Sequence, residues 1–193
     1  MEIAAGVIER IRGAERSDAW GARPLVLVDR YFKDLATSWV TVDNYAGAFK
    51  GVSLMLEKGV RDPVLISLDS PLLPVVERQR GYMDALKQHD LPYHQDNVLK
   101  LAFPGDQDIL AVRISNFLRD RPGTDGVFFT TNFLGVGGLE AIRMLGLNIP
   151  ADMRIICFDD NDLFLNALDL RMPADMAYLC FHNPRHALER INQ

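Results

Sequence analysis

A chain of 193 residues with 48 % hydrophobic residues, 24 % charged residues and a net charge of −5 has ample apolar material to bury, which excludes disorder as its main state. No apolar run approaches the ~20 residues of a membrane span, MEIAAGVIERIRG interleaves Glu2, Glu9 and Arg10 with its apolar residues and so is no signal peptide, and two cysteines make no disulfide framework. Mild acidity argues against a basic nucleic-acid-binding stripe on these residues, and the balance points to a cytoplasmic chain without membrane contact.

The first apolar run, LVLVD at 25–29, follows Pro24 and predicts a strand; WVTVD at 39–43 predicts a second. Tyr45, Ala48, Phe49, Val52, Met55 and Leu56 then recur at helical spacing, and Gly59 supplies the stop. A third strand is expected at 64–68, after Pro63. Pro74 opens a helix with Val75, Tyr82, Ala85 and Leu86 on one side, and His89-Asp90-Leu91-Pro92 ends it.

The rhythm repeats. Residues 98–101 predict a short strand, and Asp106 caps a helix carrying Ile109, Leu110, Ile114, Phe117 and Leu118. Pro122-Gly123-Thr124-Asp125-Gly126 is a turn before a buried strand at 127–130. A helix at 133–145 closes at Gly146, and a buried strand follows at 153–158. The tail predicts a short helical stretch at 163–168, an apolar run MAYLCF at 176–181 and a helix starting at Pro184. Near-continuous apolar strands alternating with helices imply an α/β fold, a doubly wound parallel sheet covered on both faces. No Gly/Ser linker divides the chain, so a domain boundary is expected as a direct crossover near Asn44.

In open α/β sheets ligands bind beyond the carboxyl ends of the strands. The strands deliver Asp29-Arg30, Asp43-Asn44, Asp69-Ser70, Thr131-Asn132-Phe133 and Asp159-Asp160 to that edge, and Arg78 lies early in the helix after the third strand. Carboxylates, a carboxamide and guanidiniums suit a small polyhydroxyl ligand, because Arg donates in pairs and Asp accepts from hydroxyl pairs. Phe133 and Trp39 offer faces for stacking. The competing readings are structural. Each Asp or Asn precedes a helix and can cap it. Arg78 alone fits a solvated helix residue paired with an acid one turn away, and Trp39 fits a core position.

Other signals carry less. Gly135-Val136-Gly137-Gly138 follows a strand but lacks the G-x-G-x-x-G spacing, so close helix–sheet packing explains it and no nucleotide cofactor is expected. His182 and His186 have Pro184 between them and no third ligand, so no metal is expected. Cys157 and Cys180 sit in apolar runs as buried thiols. No Ser-His-Asp or Cys-His arrangement stands out. Binding is therefore favoured over catalysis, with no catalytic residue.

Five segments together resemble the effector-binding region of lactose/galactose repressor-type transcription regulators: LVLVDR (25–30), VTVDNYAGAFKGVSLMLEKG (40–59), ERQRGYMDAL (77–86), FFTTNFLGVGGLEAIRMLGLNIPADM (128–153) and IICFDDND (155–162). Their order and spacing match the family from about Pro24 to about Pro184. The resemblance implies a periplasmic-binding-protein-like (type I) fold, two similar α/β lobes with ligand in the cleft between them. It implies that Arg78, three before Gly81, grips the effector, that Asn132 is the polar residue after its strand, and that Asp159 is the first acid of the FDD motif. Asp29 and Asp43-Asn44 match lobe-boundary motifs with a weaker claim to contact. Phe133 stands where the family often has Asp, exchanging a polar contact for a stacking face. Gly59-Val60 replaces the usual Gly-His, and LCFHNP at 179–184 only faintly echoes the closing strand.

A helix-turn-helix, the first strands of one lobe and the last elements of the other are not found. The chain is thus expected to be a fragment, with the end of the first lobe at 1–44 and the second lobe, lacking its last elements, at 45–193. The expected function is sensing a small polar effector, a sugar or sugar derivative, and dimerising, with the 45–56 helix as one two-fold surface. DNA would be reached only through an absent N-terminal domain. The alternatives are a solute-binding protein of a transport system and, third, a nucleotide-cofactor enzyme. Exposed sheet edges lead to the further expectation that the isolated chain oligomerises or is poorly soluble.

Overall fold

The computed structural model describes residues 26–28, 38–102 and 106–159, and the backbone of 187–190. The elements expected at 163–168 and 176–181 lie outside the described residues, as do Asp29, Cys180, His182 and His186. The chain divides into two compact units, and the first division falls between Asp43 and Asn44.

In the first unit, β1 (Val26–Val28) runs parallel to β2 (Ser38–Val42), pairing Val26 with Ser38 and Val28 with Val40. The other edge of β2 is taken by Ala187–Arg190, antiparallel, with Val42 opposite Ala187 and Trp39 opposite Arg190. This corrects two expectations. The segment after Pro184 forms a strand, not a helix, and it belongs with the first unit, not with 45–182. Four residues are too few to show a period of 2 or 3.6, whereas the open edge of β2 offers unpaired N–H and C=O groups to whatever strand reaches it.

The second unit follows the expected alternation. Its elements are α1 (Asn44–Glu57), β3 (Pro63–Leu68), α2 (Leu73–Gln88), β4 (Val98–Leu101), α3 (Gln107–Arg119), β5 (Gly126–Phe129), α4 (Asn132–Met144) and β6 (Arg154–Cys157). The four strands are all parallel, in the order β4-β3-β5-β6. Crossovers are right-handed. The chain steps one way from β3 to β4 and the other way from β4 to β5 and β6, so α2 covers one face and α3 and α4 the other. The sheet is doubly wound, as expected.

Local chemistry sets the ends. Asp106 caps α3, its side chain accepting from the N–H groups of Asp108 and Ile109 at 2.8 and 3.4 Å. Thr131 caps α4. Gly59 and Gly146 take positive φ, 100° and 70°, just past helix ends, where side chains are disfavoured.

Strand alternation sorts the core. Val64, Ile66, Val127, Phe129, Ile155 and Cys157 join one buried cluster with Leu110 and Ile114 of α3 and Leu134 and Ile142 of α4. On the opposite face the Tyr82 ring stacks on Phe128, and its hydroxyl donates to the Pro63 carbonyl at 2.9 Å. Burial there holds the Tyr82 phenol well above its usual pKa. Two glycines permit close approach. A Cβ on Gly81 of α2 would lie 2.6 Å from the Tyr45 carbonyl oxygen of α1, and one on Gly138 of α4 would lie 2.1 Å from the Phe129 ring. The glycines of 135–138 therefore serve packing, as expected. The apolar stripe of α1, with Ala48, Val52, Met55 and Leu56, is buried. These four side chains belong to the core of the second unit.

Candidate functional site

The crossover directions reverse between β3 and β5, so the carboxyl ends of these neighbours form the switch point at which ligands bind in such sheets. Past β5 stand Thr130, Thr131 and Asn132; past β6 stand Phe158 and Asp159. Ladder bonds extend beyond both strand ends: Thr130 N–H donates to Ile66 O at 3.0 Å and Phe158 N–H to Phe129 O at 2.9 Å. The polar side chains are thus held on continuous backbone.

Arg78 is the centre of this edge. It sits in the second turn of α2 and is only 5 % exposed. Its Nε donates to Asn44 Oδ1 at 2.8 Å, and its NH1 donates to the Thr130 carbonyl at 2.6 Å. NH1 also meets Asp159 Oδ2 at 2.9 Å, with NH2 to Oδ1 at 3.4 Å. The guanidinium carbon lies 3.7 Å from the centroid of the Phe158 ring. A buried charge persists only when paired and hydrogen-bonded, and these partners supply both conditions. The reading of Arg78 as a solvated helix residue paired one turn away is overturned: its acid is 81 positions along the chain.

Asp159 sits at φ 69°, in the left-handed region that Asp tolerates better than most residues. Its side chain is 38 % exposed, against 7 % for Arg78. The carboxylate is therefore the member of the pair that faces solvent. Behind Arg78 lies a second polar layer. Ser67 Oγ accepts from Gln79 Nε2 at 2.9 Å and from Thr130 Oγ1 at 3.2 Å. This layer ties α2, β3 and the end of β5 together.

Of the expected site residues, the structure brings Arg78 and Asp159 into direct contact. Asn132 and Phe133 open α4 at the same edge, just after Thr130. Phe133 is partly buried against the α3–α4 core, and its carbonyl accepts from Gln107 Nε2 at 3.3 Å. Asp43 is half-buried at the end of β2 in the first unit, and Asp29 is outside the described residues. Asn44, expected at this edge beside Asp43 with a weaker claim to contact, accepts from Arg78 Nε; Thr130, Ser67, Gln79 and Phe158 were not among the expected contacts. Of these, Phe158 carried a signal, since it directly precedes Asp159.

Residues 52–185 match the family described as the periplasmic binding protein-like domain. The chain belongs to that family. Among curated proteins it is 28 % identical over 148 residues to the HTH-type transcriptional regulator CelR of Thermobifida fusca, covering 77 % of this chain and 42 % of the relative. The probable HTH-type transcriptional repressor ExuR of Bacillus subtilis is 26 % identical over 137 residues, covering 71 % and 40 %. The chain thus spans less than half the length of these relatives. Among solved structures, a regulatory protein of the LacI family from Chloroflexus aggregans aligns with a TM-score of 0.67 at 23 % identity, over 74 % of this chain and 51 % of that one. The CelR–cellobiose complex aligns with a TM-score of 0.64 at 22 % identity, over 80 % and 54 %. The resemblance to lactose/galactose repressor-type regulators and the periplasmic-binding-protein-like fold are both borne out. The relatives bear the names of regulators, not of enzymes. Among the described residues no helix is long and apolar enough to cross a membrane.

Proposed function

We propose that this periplasmic binding protein-like domain is the effector-binding part of a transcriptional regulator and that its effector is a sugar or sugar derivative. One observation carries the reading: a buried Arg78 locked against a half-exposed Asp159 at the switch point of the sheet. An oriented guanidinium and a solvent-facing carboxylate supply the paired donors and acceptors that adjacent hydroxyls need. Asn132 completes the polar set, Phe133 offers a ring edge, and Asp43 and Asp29 are further contacts. The cellobiose named with the CelR structure supports the choice of a sugar.

Residues 1–43 with 183–193, and residues 44–182, would act as two lobes, the whole protein as a cytoplasmic dimer that needs no cofactor, and DNA would be bound by a segment outside these residues. Effector binding would then shift the population between DNA-bound and released states. The names of the relatives favour this over a solute-binding protein of a transport system or a nucleotide-cofactor enzyme.

The test is thermal unfolding of the whole protein against a panel of sugars, cellobiose included, with sugar phosphates and purines. An effector at one hundred times its Kd adds about 2.7 kcal/mol of stability. Arg78→Ala and Asp159→Ala each abolish that response. A panel without any response, or wild-type responses in both variants, overturns the assignment.

A further inference from the structure

Asn44 opens α1 and is only 1 % exposed, whereas the Asp159 side chain at the same edge is 38 % exposed. So deep an amide is placed to act on the site from behind. Its Oδ1 accepts from Arg78 Nε at 2.8 Å, across 34 positions of sequence.

The geometry of the guanidinium gives that bond a particular meaning. The group is flat, with three nitrogens around one carbon and its five N–H donors in a fixed fork. NH1 carries two short bonds, to the Thr130 carbonyl at 2.6 Å and to Asp159 Oδ2 at 2.9 Å; NH2 meets Asp159 Oδ1 at 3.4 Å. Anchoring at NH1 alone leaves the fork able to pivot about that nitrogen. The Phe158 ring, 3.7 Å from the guanidinium carbon, limits tilting out of the plane. Within the plane, Nε on Asn44 is the second strong anchor, and two points fix a heading. A side chain held in its working direction before the ligand arrives loses less freedom on binding.

The sequence provides for the bond by letting two helices close together. Gly81 lies one turn after Arg78 on α2, and a Cβ there would stand 2.6 Å from the carbonyl oxygen of Tyr45, the residue after Asn44. Without a side chain at 81, the start of α1 reaches Arg78. A competing role exists for Asn44, because asparagine at a helix start can cap the helix.

We propose that Asn44 is a positioning residue of the effector site: it sets the heading of the Arg78 guanidinium and does not itself touch the effector. The inference rests on the reading of this edge as the effector site.

Two variants separate positioning from capping. Asn44→Ser keeps a capping hydroxyl, but its oxygen is one bond shorter and draws away from Arg78 Nε. Asn44→Asp keeps both the cap and the acceptor. Ser and Asp both suit a helix start, so circular dichroism is expected to match the parent chain in each. The first readout is NMR of the chain carrying nitrogen-labelled arginine. In the parent chain the Arg78 Nε–H exchanges slowly with water and the NH1 and NH2 groups give separate signals. In Asn44→Ser the Nε–H exchange accelerates at least about tenfold and the two signals merge, as loss of a hydrogen bond to a charged group requires; in Asn44→Asp both features persist. The second readout is affinity for the panel sugar that stabilises the parent chain, cellobiose being tried first. It falls about tenfold in Asn44→Ser and stays within about threefold in Asn44→Asp.

An Arg78 spectrum unaltered by Asn44→Ser would overturn the proposal, and so would parent-like affinity in that variant, which would leave Asn44 as a cap. Equal loss of affinity in both variants, with the spectrum kept in Asn44→Asp, would also overturn it. A panel that leaves the parent chain unmoved sinks the sugar reading instead, and the Arg78 signals still decide whether Asn44 orients the guanidinium.

Discussion

Arg78 and Asp159 stand 81 positions apart and meet at 2.9 Å, joining the second turn of α2 to the residue beyond β6. Three crossovers of the doubly wound sheet must close before the pair can form. The contact is therefore a product of the whole second unit, not of any local segment.

Removing the cation exposes what it was holding. Arg78→Met leaves the Thr130 carbonyl and Asn44 Oδ1 without their donor and the Asp159 carboxylate without its partner. Breaking a fully buried pair costs 3–5 kcal/mol; because Asp159 keeps solvent access, about 2 kcal/mol is expected here. Urea unfolding followed by circular dichroism measures it. An unchanged midpoint would mean that the pair contributes nothing to folding.

The two packing glycines predict a sharper loss than the two turn glycines. Gly138→Ala drives a methyl group into the Phe129 ring, which is fully buried and cannot retreat, and Gly81→Ala drives one into the α1 backbone. Each is expected to cost about 3 kcal/mol or more. Gly59→Ala and Gly146→Ala meet nothing within 4 Å and suffer only from positive φ, so about 1 kcal/mol is expected. Chemical denaturation of the four variants side by side checks the order; equal losses would refute the packing argument.

Capping predicts a smaller, local effect. Asp106→Ala removes the acceptor for two first-turn N–H groups of α3 and should cost about 1 kcal/mol. Asp106→Ser should recover most of it. Amide hydrogen exchange at Asp108 and Ile109 reports the fraying directly; unaltered protection in the alanine variant would remove Asp106 from the account of where α3 starts.

The backbone N–H of Asn148, and then its side-chain amide, hold the Asp152 carboxyl below the usual carboxylate range. A depressed folded-state pKa adds stability that is present above the ordinary value near ~4 and is lost as pH falls through the lower one. Urea midpoints taken between about pH 5 and pH 3 should therefore decline less steeply in Asp152→Asn than in the parent chain. The difference is small, because the group is exposed. Parallel declines would show that the bonds leave the titration untouched.

Much of the second unit was legible because buried parallel strands advertise themselves. Residues 64–68 and 127–130 are near-continuous apolar runs, and Gly59, Gly146 and Asp106 punctuate the helices by conformational rules that act locally. Ala187–Arg190 was illegible because its partner, β2, is distant in the chain and its four residues carry no period. The α1 stripe was legible as apolar, but its cover was not. Gly81, which lets α2 approach it, looks in the sequence like an ordinary small residue.

The site divides in the same way. Arg78 and Asp159 were legible through motif resemblance, each at its own place. Their mutual contact, and the enlistment of Asn44 and the Thr130 carbonyl, depend on which strand ends become neighbours. No pattern within a helical turn encodes that.

The order β4-β3-β5-β6 also has a consequence on the ribosome. Strand β3 can pair with β4 as soon as both have emerged, but Ser67 cannot receive the Thr130 hydroxyl until β5 has inserted on the other side of β3, past the whole of α3. Such long-range parallel pairing is slow, and domains fold as units during synthesis. A nascent chain ending before β5 thus displays a bare β3 edge and a helix α2 whose buried arginine has neither carbonyl nor carboxylate to hold. The edge that carries Arg78 and Asp159 is among the last features to mature, and the interval before it does is when a stalled chain is most open to strand capture.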